Sequence, residues 1–195
     1  MVIGITGSIG SGKSTVSQKL IDRGYQVIDC DKINHLILRE NEVGYLAVIQ
    51  EFGTEILTED NQIDRKKLGS IVFANKEKKE LLNQILHPII RKKVIEEINQ
   101  SSNRLIFLDC PLLFETDFYE LCDLSIVVYI DLDSQIKRIM ARDKIDFPSA
   151  LRRIYAQMSL EEKMERADFI IDNCHAEADL DWQISQILFR LEKEI

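Results

Sequence analysis

Residues Gly7-Ser8-Ile9-Gly10-Ser11-Gly12-Lys13-Ser14 follow directly on the apolar run Val2-Ile3-Gly4-Ile5-Thr6 and have the pattern G-x-x-x-x-G-K-S. The pattern has a mechanical reason. Successive backbone N–H groups must turn inward toward phosphate oxygens, and glycines permit the φ angles and the close approach that side chains block. Lys13 sets a point charge beside the outer phosphates, the Ser14 hydroxyl is a ligand for Mg²⁺, and Ser11 and Thr15 complete the stretch. A helix beginning near Gly12 or Lys13 would aim its partially positive N-terminus at the bound anion. The strand-to-helix setting separates this loop from a chance glycine turn. A dinucleotide fingerprint is excluded because Thr15 follows where a third glycine is needed. Residues 7–15 therefore predict a nucleoside triphosphate site.

The 195 residues are enough for one good core, and the simplest expectation is a single domain over residues 1–195. A formal net charge of −8 argues against a nucleic-acid groove, since phosphate backbones reward a basic face. Cys30, Cys110, Cys122 and Cys174 show no C-x-x-C spacing and stand in or beside apolar runs, as reduced cysteines of the cytoplasm do. No apolar run approaches the length of a membrane span, and no basic segment precedes the first apolar stretch, so neither export nor membrane insertion is expected.

Short apolar runs recur at Val2–Thr6, Tyr25–Ile28, Leu105–Leu108, Leu124–Ile130 and Phe169–Ile171, with longer amphipathic segments between them. This alternation predicts an α/β fold, a five-stranded parallel sheet flanked by helices and covered on both faces. The segment between the second and third runs is far longer than one crossover needs. It reads as a helical, acceptor-binding insertion at about 32–103, in which Pro88 is expected to begin a new helix after His87. A second helical excursion at about 138–166 carries Arg138, Arg142, Arg152, Arg153 and Arg166 and reads as a lid. Within it, Ser159-Leu160-Glu161-Glu162 has capping-box spacing, so one helix should end near Met158 and another start at Ser159. A closing helix is expected over Asp179–Ile195.

Two of the runs end in acids. The second leads into Asp29-Cys30-Asp31 and the third closes on Asp109. In phosphoryl transfer one acid can take the acceptor hydroxyl's proton while another holds Mg²⁺ directly or through water. Asp31, farthest beyond its strand, is the better placed base; Asp29 or Asp31 could instead cap the helix that follows. Asp109 suits either the metal or a structural hydrogen bond. Lid arginines would meet charge that spreads over the transferring phosphoryl oxygens.

Further short motifs run the length of the chain: Val27-Ile28-Asp29-Cys30-Asp31, Phe52-Gly53, Ile63-Asp64-Arg65, His87-Pro88, Pro111-Leu112-Leu113-Phe114-Glu115, Lys137-Arg138, Arg142-Asp143, Gln157 and Ile171-Asp172-Asn173. In this order and spacing they resemble the dephospho-coenzyme A kinases. The resemblance implies the P-loop kinase fold and ATP-dependent phosphorylation of the ribose 3′-hydroxyl of dephospho-coenzyme A, the last step of coenzyme A synthesis. It implies Asp31 as general base, Lys13 on the phosphates, Arg142 as the lid arginine on the transferring group, and Mg²⁺ with the nucleotide. It also implies Arg65 and His87 in the acceptor region and Asn173 near the nucleotide base. Ser8 departs from the glycine common at this position, so its backbone should keep a conformation that a side chain tolerates. A kinase of another small acceptor, such as a nucleoside monophosphate, would share the loop, lid and sheet.

Overall fold

The computed structural model describes residues 1–175 and 177–193. Five β-branched, apolar segments form strands β1 (Val2–Gly7), β2 (Gln26–Asp29), β3 (Ile106–Asp109), β4 (Leu124–Tyr129) and β5 (Phe169–Asp172). They make one parallel sheet in the order β2-β3-β1-β4-β5. The register sets Ile5 beside Asp109, Gly7 beside Val128, and Tyr129 beside Asp172. Parallel strands put their carboxyl ends at one edge, where ligands of such sheets collect.

The chain divides into two compact units, one of Met1–Ile28 with Ser102–Ile195 and one of Asp29–Ser101. In the first, helices α1 (Lys13–Asp22) and α9 (Glu177–Leu191) cover one face of the sheet. Val16 and Leu20 of α1 and Leu180, Ile184, Leu188 and Leu191 of α9 pack on Ile3, Ile5, Phe107, Ile126, Val128 and Ile171. The Tyr25 ring meets Phe107 edge-on at 5.6 Å. Each such side chain removed from water contributes about 1.5–3 kcal/mol, which is why these strands read as unbroken apolar runs rather than alternating ones. Ile195, the end of the expected closing helix, lies outside the described residues.

Between β4 and β5 lie α6 (Leu132–Asp143), α7 (Phe147–Ile154) and α8 (Leu160–Arg166). Asp131 caps α6 by accepting from Ser134 N at 2.8 Å, and Asp146 caps α7 by accepting from Ser149 N at 3.0 Å. Ser159 and Glu162 form the full capping box at the start of α8. The break therefore falls where the spacing predicts, although α7 ends at Ile154 rather than near Met158.

The second unit holds α2 (Cys30–Ile37), α3 (Val43–Phe52), α4 (Arg65–Ala74) and α5 (Lys76–Gln100), with α5 packed against the other three. Here the structure corrects the reading of Pro88. No helix begins there: α5 runs unbroken through it. Proline removes one backbone donor and crowds the preceding turn. Burial of Leu86, Ile90 and Val94 along the same helix outweighs that local penalty, and Pro88 itself is exposed.

Candidate active site

The loop after β1 is built by its sequence. Gly10 and Gly12 adopt φ of 81° and 90°, a region that side chains avoid. Gly12 also lacks room, because a Cβ there would lie 2.1 Å from Asn173 Nδ2. Ser8 keeps an ordinary backbone, so its side chain is accommodated as expected. Ser11 is buried, and its hydroxyl has no partner among the described residues.

Helix α1 starts at Lys13 with Gly12 as its N-cap and no capping side chain. Thr15 N and Val16 N both donate to Gly12 O. The N–H groups of Gly12, Lys13 and Ser14 have no acceptor among the described residues. Unpartnered donors at a helix N-terminus are an anion site, since the helix dipole and the orphan N–H groups act together. The Ser14 and Thr15 side chains are exposed beside them.

Lys13 Nζ pairs with Asp109 Oδ1, while Ser17 Oγ donates to Asp109 Oδ2. Asp109, only 4% exposed, is thus both a structural hydrogen-bond acceptor and the counter-ion of the loop lysine. The oxygens at this spot, a serine hydroxyl and an aspartate, suit a hard cation that is held by one or two protein groups and substrate phosphates. No cluster of three or more His, Cys, Asp or Glu able to hold a metal exists among the described residues.

Asn173 follows β5 and is buried against the loop. Its amide donates to Ser11 O at 2.7 Å, and its backbone N donates to Tyr129 O at 2.9 Å. Its side chain therefore fixes the loop. Arg138, on α6, donates to Asn173 O at 3.2 Å and brings its other terminal nitrogen within 3.3 Å of where a Gly12 Cβ would be. Of the lid arginines it is the one the structure sets against the loop, which composition alone could not decide. Gln135 and Gln157 also reach the loop: Gln135 Nε2 donates to Ile9 O at 2.7 Å, and Ile9 N donates to Gln157 Oε1 at 2.9 Å.

Arg142 lies in the last turn of α6 with its side chain 59% exposed. Its guanidinium donates to both carboxylate oxygens of Asp143, at 2.7 and 3.0 Å, and Arg153 binds the same carboxylate. The hydrogen-bonded Arg142 holds the Asp143 carboxyl below the usual carboxylate range, aided by the charge of Arg153, and Asp143 in turn raises Arg142. Buried Lys163 of α8 donates to Pro111 O at 2.8 Å and pairs with Glu115 at 2.9 Å, tying the segment after β3 to α8.

In the other unit, Asp29 is the N-cap of α2, its carboxylate accepting from Lys32 N at 3.0 Å. The capping role therefore belongs to Asp29. Asp31 stands exposed in the first turn of α2, and its carbonyl oxygen lies 2.6 Å from His35 Nδ1. Arg65 is the exposed first residue of α4, behind the Asp64 cap. His87 is half-buried in the middle of α5.

Residues 1–179 match the family model described as dephospho-CoA kinase. The chain is 50% identical over 175 residues to the dephospho-CoA kinase of Carboxydothermus hydrogenoformans, covering 88% of this chain and 85% of that one. It is 41% identical over 191 residues to the dephospho-CoA kinase of Oceanobacillus iheyensis, covering 96% of each. The solved dephospho-CoA kinase from Campylobacter jejuni superposes with a TM-score of 0.73 at 37% identity, over 99% of this chain and 98% of that one. With the phosphate loop, the parallel sheet and these matches over nearly its whole length, the chain belongs to the dephospho-CoA kinase family.

Proposed function

We infer that the protein transfers the γ-phosphoryl group of ATP to the ribose 3′-hydroxyl of dephospho-coenzyme A, giving coenzyme A and ADP. The observation that carries the donor half is the set of open N–H groups at Gly12, Lys13 and Ser14 with a lysine ammonium beside them. Family membership carries the acceptor half.

The acceptor oxygen attacks the γ-phosphorus as the bond to the β–γ bridging oxygen breaks. Asp31 accepts the hydroxyl proton, a role open to an exposed carboxylate that does not cap its helix. Lys13 turns from Asp109 to the phosphate oxygens, and the N–H groups of the loop fix the chain of phosphates in line. Arg142 supplies positive charge to the transferring group once it exchanges Asp143 for phosphate. Ser14 and Asp109 are the groups that would hold Mg²⁺, directly or through water; when bound, the ion neutralises phosphate charge. Arg65 and His87 contribute to acceptor binding, and Asn173 holds the loop that faces the nucleotide.

Purified protein, MgATP and dephospho-coenzyme A should yield ADP and a coenzyme A product whose new phosphate is at the 3′ position by mass spectrometry and chromatography. No turnover of this acceptor, with efficient phosphorylation of a nucleoside monophosphate, would sink the assignment.

A further inference from the structure

Ile9 is held at both of its backbone polar groups, its N–H in the Ser8–Ile9 peptide and its carbonyl in the Ile9–Gly10 peptide. Gln135, 2% exposed on α6, gives one amide hydrogen to Ser8 Oγ at 2.8 Å and the other to Ile9 O at 2.7 Å. Gln157, in the connection between α7 and α8, accepts on Oε1 from Ile9 N at 2.9 Å and from Ser8 Oγ at 3.3 Å. Both hydrogens of one amide and both lone pairs of the other carbonyl are used, so the network is closed. One residue of the loop thus has its donor and its acceptor bound by side chains from two elements of the lid segment.

We propose that Gln135 and Gln157 are positioning residues for phosphoryl transfer, clamping the two peptide units on either side of Ile9 so that the loop offers only N–H groups to the nucleotide phosphates. The proposal deepens the reading of residues 7–15 as the ATP site and rests on it. A loop with Gly7, Gly10 and Gly12 around these two peptides has little intrinsic resistance to a peptide flip. A flip of the Ile9–Gly10 peptide would turn the Ile9 carbonyl oxygen toward the anion, a repulsive contact where an attractive one is needed. Ile9 N is spent on Gln157 and Ser11 N on Ser8 O at 3.0 Å, while the N–H groups of Gly12, Lys13 and Ser14 stay open at the helix start. The glutamines act through the backbone and touch no substrate.

Gln157→Leu, Gln135→Met and the double variant are compared with the wild-type protein in MgATP binding by calorimetry and in steady-state kinetics with dephospho-coenzyme A. Each single variant should raise the MgATP Kd and KM about tenfold and lower kcat, with the KM for the acceptor held within about twofold. Because both glutamines act on the backbone of one residue, the double variant should exceed the worse single by no more than about threefold. A folded single variant with wild-type MgATP affinity overturns the proposal, as does a loss equal for both substrates or multiplicative in the double variant. Gln157→Asn, which keeps the amide but draws it back from Ile9, supplies the same comparison should a hydrocarbon variant not fold. A wild-type protein that binds MgATP but does not turn over dephospho-coenzyme A refutes the kinase reading alone, and the calorimetric Kd values still judge the clamp.

Discussion

Replacing Gly12 with alanine tests the loop geometry most directly. The new Cβ would stand 2.1 Å from Asn173 Nδ2 and 3.3 Å from both Asn173 Cγ and Arg138 Nη1, with φ at +90°. Asn173 must leave, and with it the hydrogen bond to Ser11 O at 2.7 Å. A left-handed φ costs an alanine about 1–2 kcal/mol. Stranding a buried hydrogen-bonding group costs about 1–3 kcal/mol more. If the whole sum of about 2–5 kcal/mol appears in nucleotide affinity, the MgATP Kd rises roughly 30-fold to several thousand-fold. Gly24→Ala is the control: it too has a positive φ, of 87°, but a Cβ there meets nothing within 4 Å. It should lose about 1–2 kcal/mol of global stability and leave MgATP binding unchanged. Calorimetric titration of both variants, with thermal unfolding alongside, separates the steric contribution from the backbone one. A Gly12→Ala protein that binds MgATP within about threefold of wild type, a difference of under 1 kcal/mol, refutes the reasoning.

Asp31→Asn should lower kcat by about two or more orders of magnitude while the MgATP Kd is kept, because the variant loses the proton acceptor and no phosphate contact; near-normal kcat would remove Asp31 from the chemistry. Arg142→Ala should slow phosphoryl transfer more than it raises either KM, and a change confined to KM would make Arg142 a binding residue only. The same variant reports on Asp143, whose carboxyl titrates below the ordinary range in the folded protein. The stability from this pairing is therefore present above the unfolded carboxylate value of about 3.9 and is lost as pH falls through the lower folded value. NMR titration should show Asp143 moving up toward the ordinary value in Arg142→Ala, less far than if Arg153 were also removed. Lys163→Met leaves Glu115 and Pro111 O without their buried ammonium and should destabilise the fold by about 3–5 kcal/mol, read as a fall in Tm; an unchanged Tm would show that the pair is dispensable.

The strands were legible because parallel strands covered on both faces must be apolar throughout, and Ile3, Ile5, Phe107, Ile126 and Val128 are all buried. The capping box at Ser159 was legible for a similar reason, since two orphan helix donors admit few solutions. Pro88 misled because the penalty for proline in a helix is local, whereas the burial that offsets it comes from packing against the separate helices α2, α3 and α4. Lys163 carried no signal, since a lysine ordinarily marks a solvated face and only the tertiary structure sets it beside Glu115 and Pro111. Gln157 stands out only through family resemblance. Gln135 does not stand out at all, because a neutral amide has neither the periodicity of a core residue nor the charge of a catalytic one. Among the arginines, sequence spacing offered five equals, and contact with Asn173 and the loop singles out Arg138.

On the proposed reading of Lys13, its ion pair with Asp109 would make nucleotide binding an exchange rather than an addition. When phosphate oxygens take the lysine, Asp109 keeps Ser17 as a neutral donor and remains an anion that water scarcely reaches. A buried carboxylate stripped of its cation is costly. A divalent ion entering with the nucleotide would return the missing positive charge if Asp109 helps to hold it, as proposed above. Affinity for nucleotide and affinity for metal would then be coupled, each raising the other by an equal factor, and replacing Asp109 with asparagine should weaken that mutual dependence.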